Sequence, residues 1–144
     1  MTQAADPGSD VFRKLYDEWI TALQQRNYRW FEDHVAEDFS CSAHPYPGLA
    51  MNKAQFLEGE KKIETLRAET LRVHAHAVGN ITVTTWIIRV DEEKLSDTLA
   101  VPGFPSPQEL GDLTRGKTMV YTDAWRREAG VWRFFHHHVV GPAD

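Results

Sequence analysis

The order of periodicities along this 144-residue chain predicts an α+β protein, in which a cone-shaped, strongly curved antiparallel sheet packs on three N-terminal helices. Helical apolar spacing is confined to the first 66 residues, and period-two alternation takes over beyond them. The strand region is also rich in aromatic side chains. Over the whole chain, five tryptophans, four tyrosines and seven phenylalanines supply the bulk for a sheet that wraps over helices and leaves a hollow between them.

Residues 1–9 are small and polar, with Pro7 and Gly8, and read as a flexible tail ahead of a single domain over residues 10–144. Asp10 is a plausible N-cap for the first helix. Val11, Leu15, Trp19 and Leu23 recur at four-residue spacing, with Phe12, Tyr16 and Ile20 widening the apolar stripe. A short second helix is predicted from Tyr28 to Ala36, burying Trp30 or Phe31 with Val35, and an extended piece follows Glu37 and Asp38.

His44-Pro45-Tyr46-Pro47-Gly48 reads as a rigid loop, because each proline removes a backbone donor and forces its predecessor into extended geometry. Asn52 with Gln55 three residues on resembles a capping box, opening a third helix that Phe56, Ile63 and Leu66 support to about Leu66. Then the period changes. Leu71, Val73, Ala75 and Ala77 alternate with Arg72, His74 and His76, and Gly79-Asn80 turns the chain into a strand from Ile81 to Val90. Residues 91–113, acidic at first and then broken by Pro102, Pro105 and Pro107, read as an irregular connection: a lid, a dimer arm or a surface flap, with Leu99, Val101 and Phe104 available to dock.

Residues 114–141 carry the densest pattern. Two long strands meet at a turn through Glu128, Ala129 and Gly130, with Tyr121, Asp123 and Trp125 at period two on the first. A carboxylate among bulky aromatics is costly to bury without a partner, which points to a pocket.

Bulk properties limit the partners. A formal charge of −5 with no basic stripe argues against nucleic acid, and no apolar run is long enough to span a bilayer. Cys41, the single cysteine, excludes an internal disulfide and reads as a small buried hydrophobe. With no basic segment followed by an apolar stretch at the N-terminus, a cytoplasmic protein is expected.

The runs WITALQQRNYRWFEDHVAEDF, HPYPG and YTDAWRREAGVWRFFHHH together resemble the nuclear-transport-factor-two-like superfamily, in its SnoaL-like and ketosteroid-isomerase-like branch, over Val11 to Pro142. RVHAHAVGNITVTTWIIRV and the closing hairpin also resemble the calcium/calmodulin-dependent kinase II association domain. These resemblances imply one fold with two uses, small-molecule chemistry in the cone or oligomer assembly.

The ketosteroid-isomerase resemblance places His44, before Pro45, where that branch keeps its catalytic base, and Asp123 where it keeps its hydrogen-bonding acid. Trp19 falls at the position of the oxyanion tyrosine; an indole donates but cannot act as an acid, which argues against a steroid isomerase in the strict sense. His44 can serve as acid or base near neutral pH, or can simply hydrogen-bond the backbone. His137 is the hairpin partner of Asp123, and the parity the resemblance implies places His137 inside with Phe135 and Val139. The pair can be catalytic or purely structural.

Trp19, Tyr46, Tyr121, Trp125 and Phe135 are the candidate substrate-binding residues, each equally interpretable as core. His74 with His76, and His136 to His138, invite a metal reading, but no carboxylate or cysteine sits at ligand spacing, so neither metal nor cofactor is assigned. The expected function is therefore cofactor-independent proton transfer (isomerase, dehydratase, cyclase or hydrolase) on a small apolar cyclic or carbonyl metabolite, in a homodimer. The alternative is a non-catalytic ligand-binding or assembly module of the same fold.

Overall fold

The computed structural model describes residues 8–96 and 106–143. Residues 1–7 of the expected tail, and Leu99, Val101 and Phe104, lie outside them. In chain order the elements are α1 (Ser9–Gln25), α2 (Arg29–His34), β1 (Val35–Ala43), α3 (Lys53–Lys61), β2 (Ile63–Val78), β3 (Ile81–Leu95), α4 (Pro107–Thr114), β4 (Lys117–Glu128) and β5 (Val131–Pro142). The strands form one sheet ordered β1-β5-β4-β3-β2, with α1 against the inner face of β2. Four strands pair antiparallel, as expected, while β1 joins β5 in parallel, so the sheet is mixed. No helix among the described residues is long and apolar enough to cross a membrane.

Several boundaries differ from the sequence expectation. α1 starts one residue before Asp10, behind Gly8 in a left-handed conformation, and no side chain caps it. Its buried face runs through Phe12, Tyr16, Trp19, Ile20 and Leu23, leaving Val11 47% exposed. The stripe is thus rotated by about one residue, which is what a 3.6-residue turn does to a strict four-residue spacing. α2 stops at His34, because the β-branched Val35 already pairs with Phe134 of β5.

The capping box is present in both directions, Asn52 Oδ1 accepting from Gln55 N–H at 2.9 Å and Gln55 Oε1 from Asn52 N–H at 2.9 Å. Lys53 Nζ donates to Glu37 Oε1 at 2.7 Å and to the Glu32 carbonyl at 3.0 Å, fixing the start of α3 against α2 and β1. That helix ends at Lys61, short of Leu66, because Ile63 is already paired with Leu95. The connection after β3 is also shorter than expected, since β3 runs on to Leu95 and residues 107–114 are helical, the Ser106 hydroxyl accepting from Glu109 N–H at 3.1 Å.

Bulges set the inward face of the sheet. Where Ala124 pairs with His136 and Trp125 with Phe134, Phe135 is an extra residue on β5; Val140, Leu71 and Asp91 are extra at three similar steps. Each bulge reverses the in-out alternation beyond it and adds twist, bending the sheet over the helices. Leu71, which the sequence groups with Val73 and Ala75 by alternation, is consequently 43% exposed.

Candidate active site

One rung of the sheet crosses all five strands through Cys41, His137, Asp123, Thr84 and Ala75. All five are buried, Asp123 to 1% exposure. Register places Asp123 directly opposite His137, so their side chains rise together from the inner face. His137 Nδ1 lies 2.5 Å from Asp123 Oδ1, and the Tyr16 hydroxyl, reaching across from α1, donates to Oδ2. Both carboxylate oxygens are engaged.

The network continues behind the carboxylate. Trp125 Nε1 donates to Thr84 Oγ1 at 2.9 Å, and Thr84 Oγ1 lies 2.6 Å from the Tyr16 hydroxyl. Because Tyr16 spends its single proton on Asp123, Thr84 donates to Tyr16, and every donor in the chain points toward the carboxylate. Burial first, then the Asp123 charge, push the Tyr16 phenol well above its ordinary range, so it stays a donor. The His137 Nδ1 proton is likewise committed to Asp123, which leaves Nε2 as the ring nitrogen without a hydrogen-bond partner among the described residues.

That ring is part of a cavity wall. The cavity, of ≈ 160 Å³, lies between the sheet, α1, α3 and the end of α4, and is lined mainly by aromatic and aliphatic side chains with His137 among them. Tyr121 stacks on the imidazole at 5.1 Å between centroids, while Trp19 at 5.3 Å and Phe56 at 5.8 Å hold its other sides. The Tyr121 phenol is raised well above its usual value, chiefly by burial, with Glu93, Glu60 and Asp123 adding to it. No described residue hydrogen-bonds its hydroxyl.

Two further carboxyls line the same cavity: Glu60 from the last turn of α3 and Glu93 from β3. Burial and the facing Glu93 raise Glu60 to about 8, with the Trp19 side chain acting in the opposite direction as a donor. Burial raises Glu93 to about 7, against the Thr114 hydroxyl and the Arg115 guanidinium. Glu60 Oε2 is buried with no hydrogen-bond partner among the described residues. Neither glutamate was expected at the site.

Of the residues expected there, Asp123 and His137 meet, and His137, Trp19 and Tyr121 line the cavity. The others do not. His44 is exposed on its loop, tied by its own N–H to the Val139 carbonyl at 2.8 Å, and is absent from the cavity wall. Tyr46 packs against the core beside it, also off the wall. Trp125 is completely buried behind Tyr16, wedged among Phe12, Tyr16 and Phe134.

Phe135 faces away, under the Arg126 guanidinium, because the bulge hands its inward place to Phe134, which stacks on Trp19 at 4.8 Å. The first-helix residue that reaches Asp123 is Tyr16, three residues before the expected Trp19.

Solved structures with similar folds include an NTF2-like protein from Cytophaga hutchinsonii (16% identity, covering 92% of this chain and 96% of that one, TM-score 0.69). A protein from Streptomyces avermitilis, provisionally assigned as a dehydratase of the NTF2-like family, matches at 14% identity over 96% of this chain and 99% of that one, with TM-score 0.67. A provisionally assigned calcium/calmodulin-dependent kinase II association domain from Exiguobacterium sibiricum matches at 12% identity over 100% and 98%, with TM-score 0.66. No protein-family model matches the chain, and no curated protein matches its sequence. The chain has the NTF2-like fold. Identity this low says nothing about chemistry, which has to come from the residues.

Proposed function

We propose that this chain is a cofactor-independent enzyme that moves a proton on a small apolar cyclic or carbonyl compound, with His137 as its acid–base group. The observation that carries this reading is the division of labour on one imidazole: Nδ1 bonded to a buried carboxylate at 2.5 Å, and the ring forming part of the cavity wall. Asp123 holds the tautomer and stabilises the imidazolium once Nε2 has taken a proton. Tyr16 in turn holds Asp123.

In the forward step Nε2 removes a proton from the carbon beside a carbonyl, and the electron pair moves onto the carbonyl oxygen. Tyr121, whose phenol keeps its proton, is the donor available to that oxygen. Return of the proton from Nε2 to the same or a neighbouring carbon completes the exchange or isomerisation. The acid–base role expected for His44 passes to His137, since an exposed loop imidazole off the cavity wall does not reach a ligand inside.

A cavity of ~150 Å³ takes a benzene-sized guest, so cyclohexanone and cyclopentanone are suitable first substrates. Deuterium incorporation beside their carbonyls, followed by NMR in heavy water, is expected for the unmodified chain. His137→Gln is expected to slow it by about 10²–10⁴-fold, while His44→Ala leaves it unchanged. Equal exchange with and without His137 would sink the reading.

A second reading, a homodimer assembled through the outer sheet face, is favoured by Leu71, Val83 and Val140, each at least 40% exposed. It does not compete with the cavity for residues. Light scattering tests it: a particle of one chain's mass rejects the dimer.

A further inference from the structure

We propose that the part of the cavity walled by Glu60 and Glu93 is a subsite for the protonated nitrogen of a small hydrophobic amine. The inference rests on the cavity being a ligand site and adds the chemical class of what it takes. The geometric observation is that two carboxyls from different elements face one mostly apolar hollow, and that Glu60 Oε2 is buried without a hydrogen-bond partner among the described residues. Native structures rarely leave a buried carboxyl oxygen unpartnered. Here the missing donor is one a ligand can bring.

The surroundings select an ammonium over a neutral hydroxyl. Trp19, Trp86 and Tyr121 line the same hollow, and aromatic faces beside carboxylates are the arrangement that attracts organic cations. Tyr121 sits close enough to feel both glutamates, and so does the Trp19 side chain for Glu60. The other titratable groups facing this part of the wall do not neutralise the pair. Cys41 on β1 is a thiol pushed up to about 12 by burial, and His137 on β5 is committed to Asp123. The Arg115 guanidinium after α4, bonded to Asp112 at 3.0 Å, acts on Glu93 but leaves it raised to about 7.

Without a ligand the pair keeps protons that free carboxyls would have lost, Glu60 to about 8 and Glu93 to about 7. A cation between them favours the ionised forms, so binding expels protons and strengthens as pH rises until both are ionised. A neutral hydrogen-bond acceptor, held by a protonated carboxyl, has the opposite dependence. The two ligand classes are therefore separable by sign.

Titration calorimetry of the full chain with benzylamine, and with benzyl alcohol as its neutral counterpart, tests this. The amine is expected to bind at least about tenfold more tightly than the alcohol near pH 8. Its affinity is expected to rise from about pH 6 to about pH 9, with proton release seen as a buffer-dependent enthalpy. Glu60→Gln with Glu93→Gln is expected to erase the preference and leave the alcohol's affinity in place; the pH series on the unmodified chain needs no variant at all.

Equal binding of the two probes, or amine affinity that falls with pH, overturns the ammonium subsite while leaving the cavity standing. Binding of neither probe overturns it together with the cavity as a ligand site. Amine binding with no His137-dependent exchange supports the subsite and removes only the enzymatic reading.

Discussion

Among the described residues three carboxyl groups reach into the interior, and the two regions that hold them solve the same problem in opposite ways. At Asp123, two donors from different elements engage both oxygens, and a relay of hydroxyls and an indole stands behind them. At Glu60 and Glu93, donors are scarce, the two groups repel each other, and burial holds protons on them instead. Burial alone therefore does not decide the state of a carboxyl. What decides is whether the fold supplies enough donors, and a region short of them stands open to a ligand that carries one.

Breaking the partnered region should cost the most. Asp123→Ala strands the Tyr16 hydroxyl and the His137 N–H in a dry core and is expected to lower stability by about 3–5 kcal/mol, read from urea melts. Tyr16→Phe removes one donor and leaves both Asp123 and Thr84 a bond short, which is expected to cost about 1–3 kcal/mol in the same experiment.

The donor-poor region should behave in reverse. Glu60 and Glu93 have folded-state values raised from 4.5, so the stability tied to their protonated forms is present in full below that value and is lost as pH climbs through about 7 and about 8. The melting temperature of the ligand-free chain is expected to fall by several degrees from about pH 6 to about pH 9, and Glu60→Gln with Glu93→Gln to flatten that slope. A slope unchanged in the double variant would erase the contrast between the regions. The smallest effect is expected at a site remote from both: Ala129, with φ 52° in the β4–β5 turn ahead of Gly130 at φ 81°, should gain about 0.5–1 kcal/mol on replacement by Asn, which tolerates that conformation.

The closing hairpin was legible in the sequence because its turn at Ala129-Gly130 is a local signal, but that turn alone sets residue 123 opposite 136. The extra Phe135 brings 137 there, and only the parity implied by the family resemblance had put His137 inside. The mixed helix and strand content was legible for a similar reason, since periods of 3.6 and 2 are local properties. Phe135 failed because an extra residue within a strand leaves no mark on hydrophobic alternation: Phe134 and Phe135 are equally apolar, and only the pairing shows which one turns in. Glu93 failed for the same cause, Asp91 being the extra residue that returns it to the inner face.

Glu60 carried a readable signal, four residues after Phe56 on the buried side of α3, but an acidic residue in a charged run reads as solvent-facing. Tyr16 was visible as part of the apolar stripe; its hydroxyl found Asp123 through tertiary packing that no local pattern encodes. His44 rested on a positional likeness, and the prolines that make its loop rigid also hold it outside.

Since the wall of the hollow is chosen by counting along strands, closing one of these bulges with no residue removed exchanges the lining for a whole strand segment at once. Pairing residue 135 in the ladder would bring His136 and His138 indoors in place of His137 without altering any letter of the chain. A scaffold of this kind can change what it holds by a shift of frame, a larger step than point substitution allows, and one that leaves the outline of the protein intact.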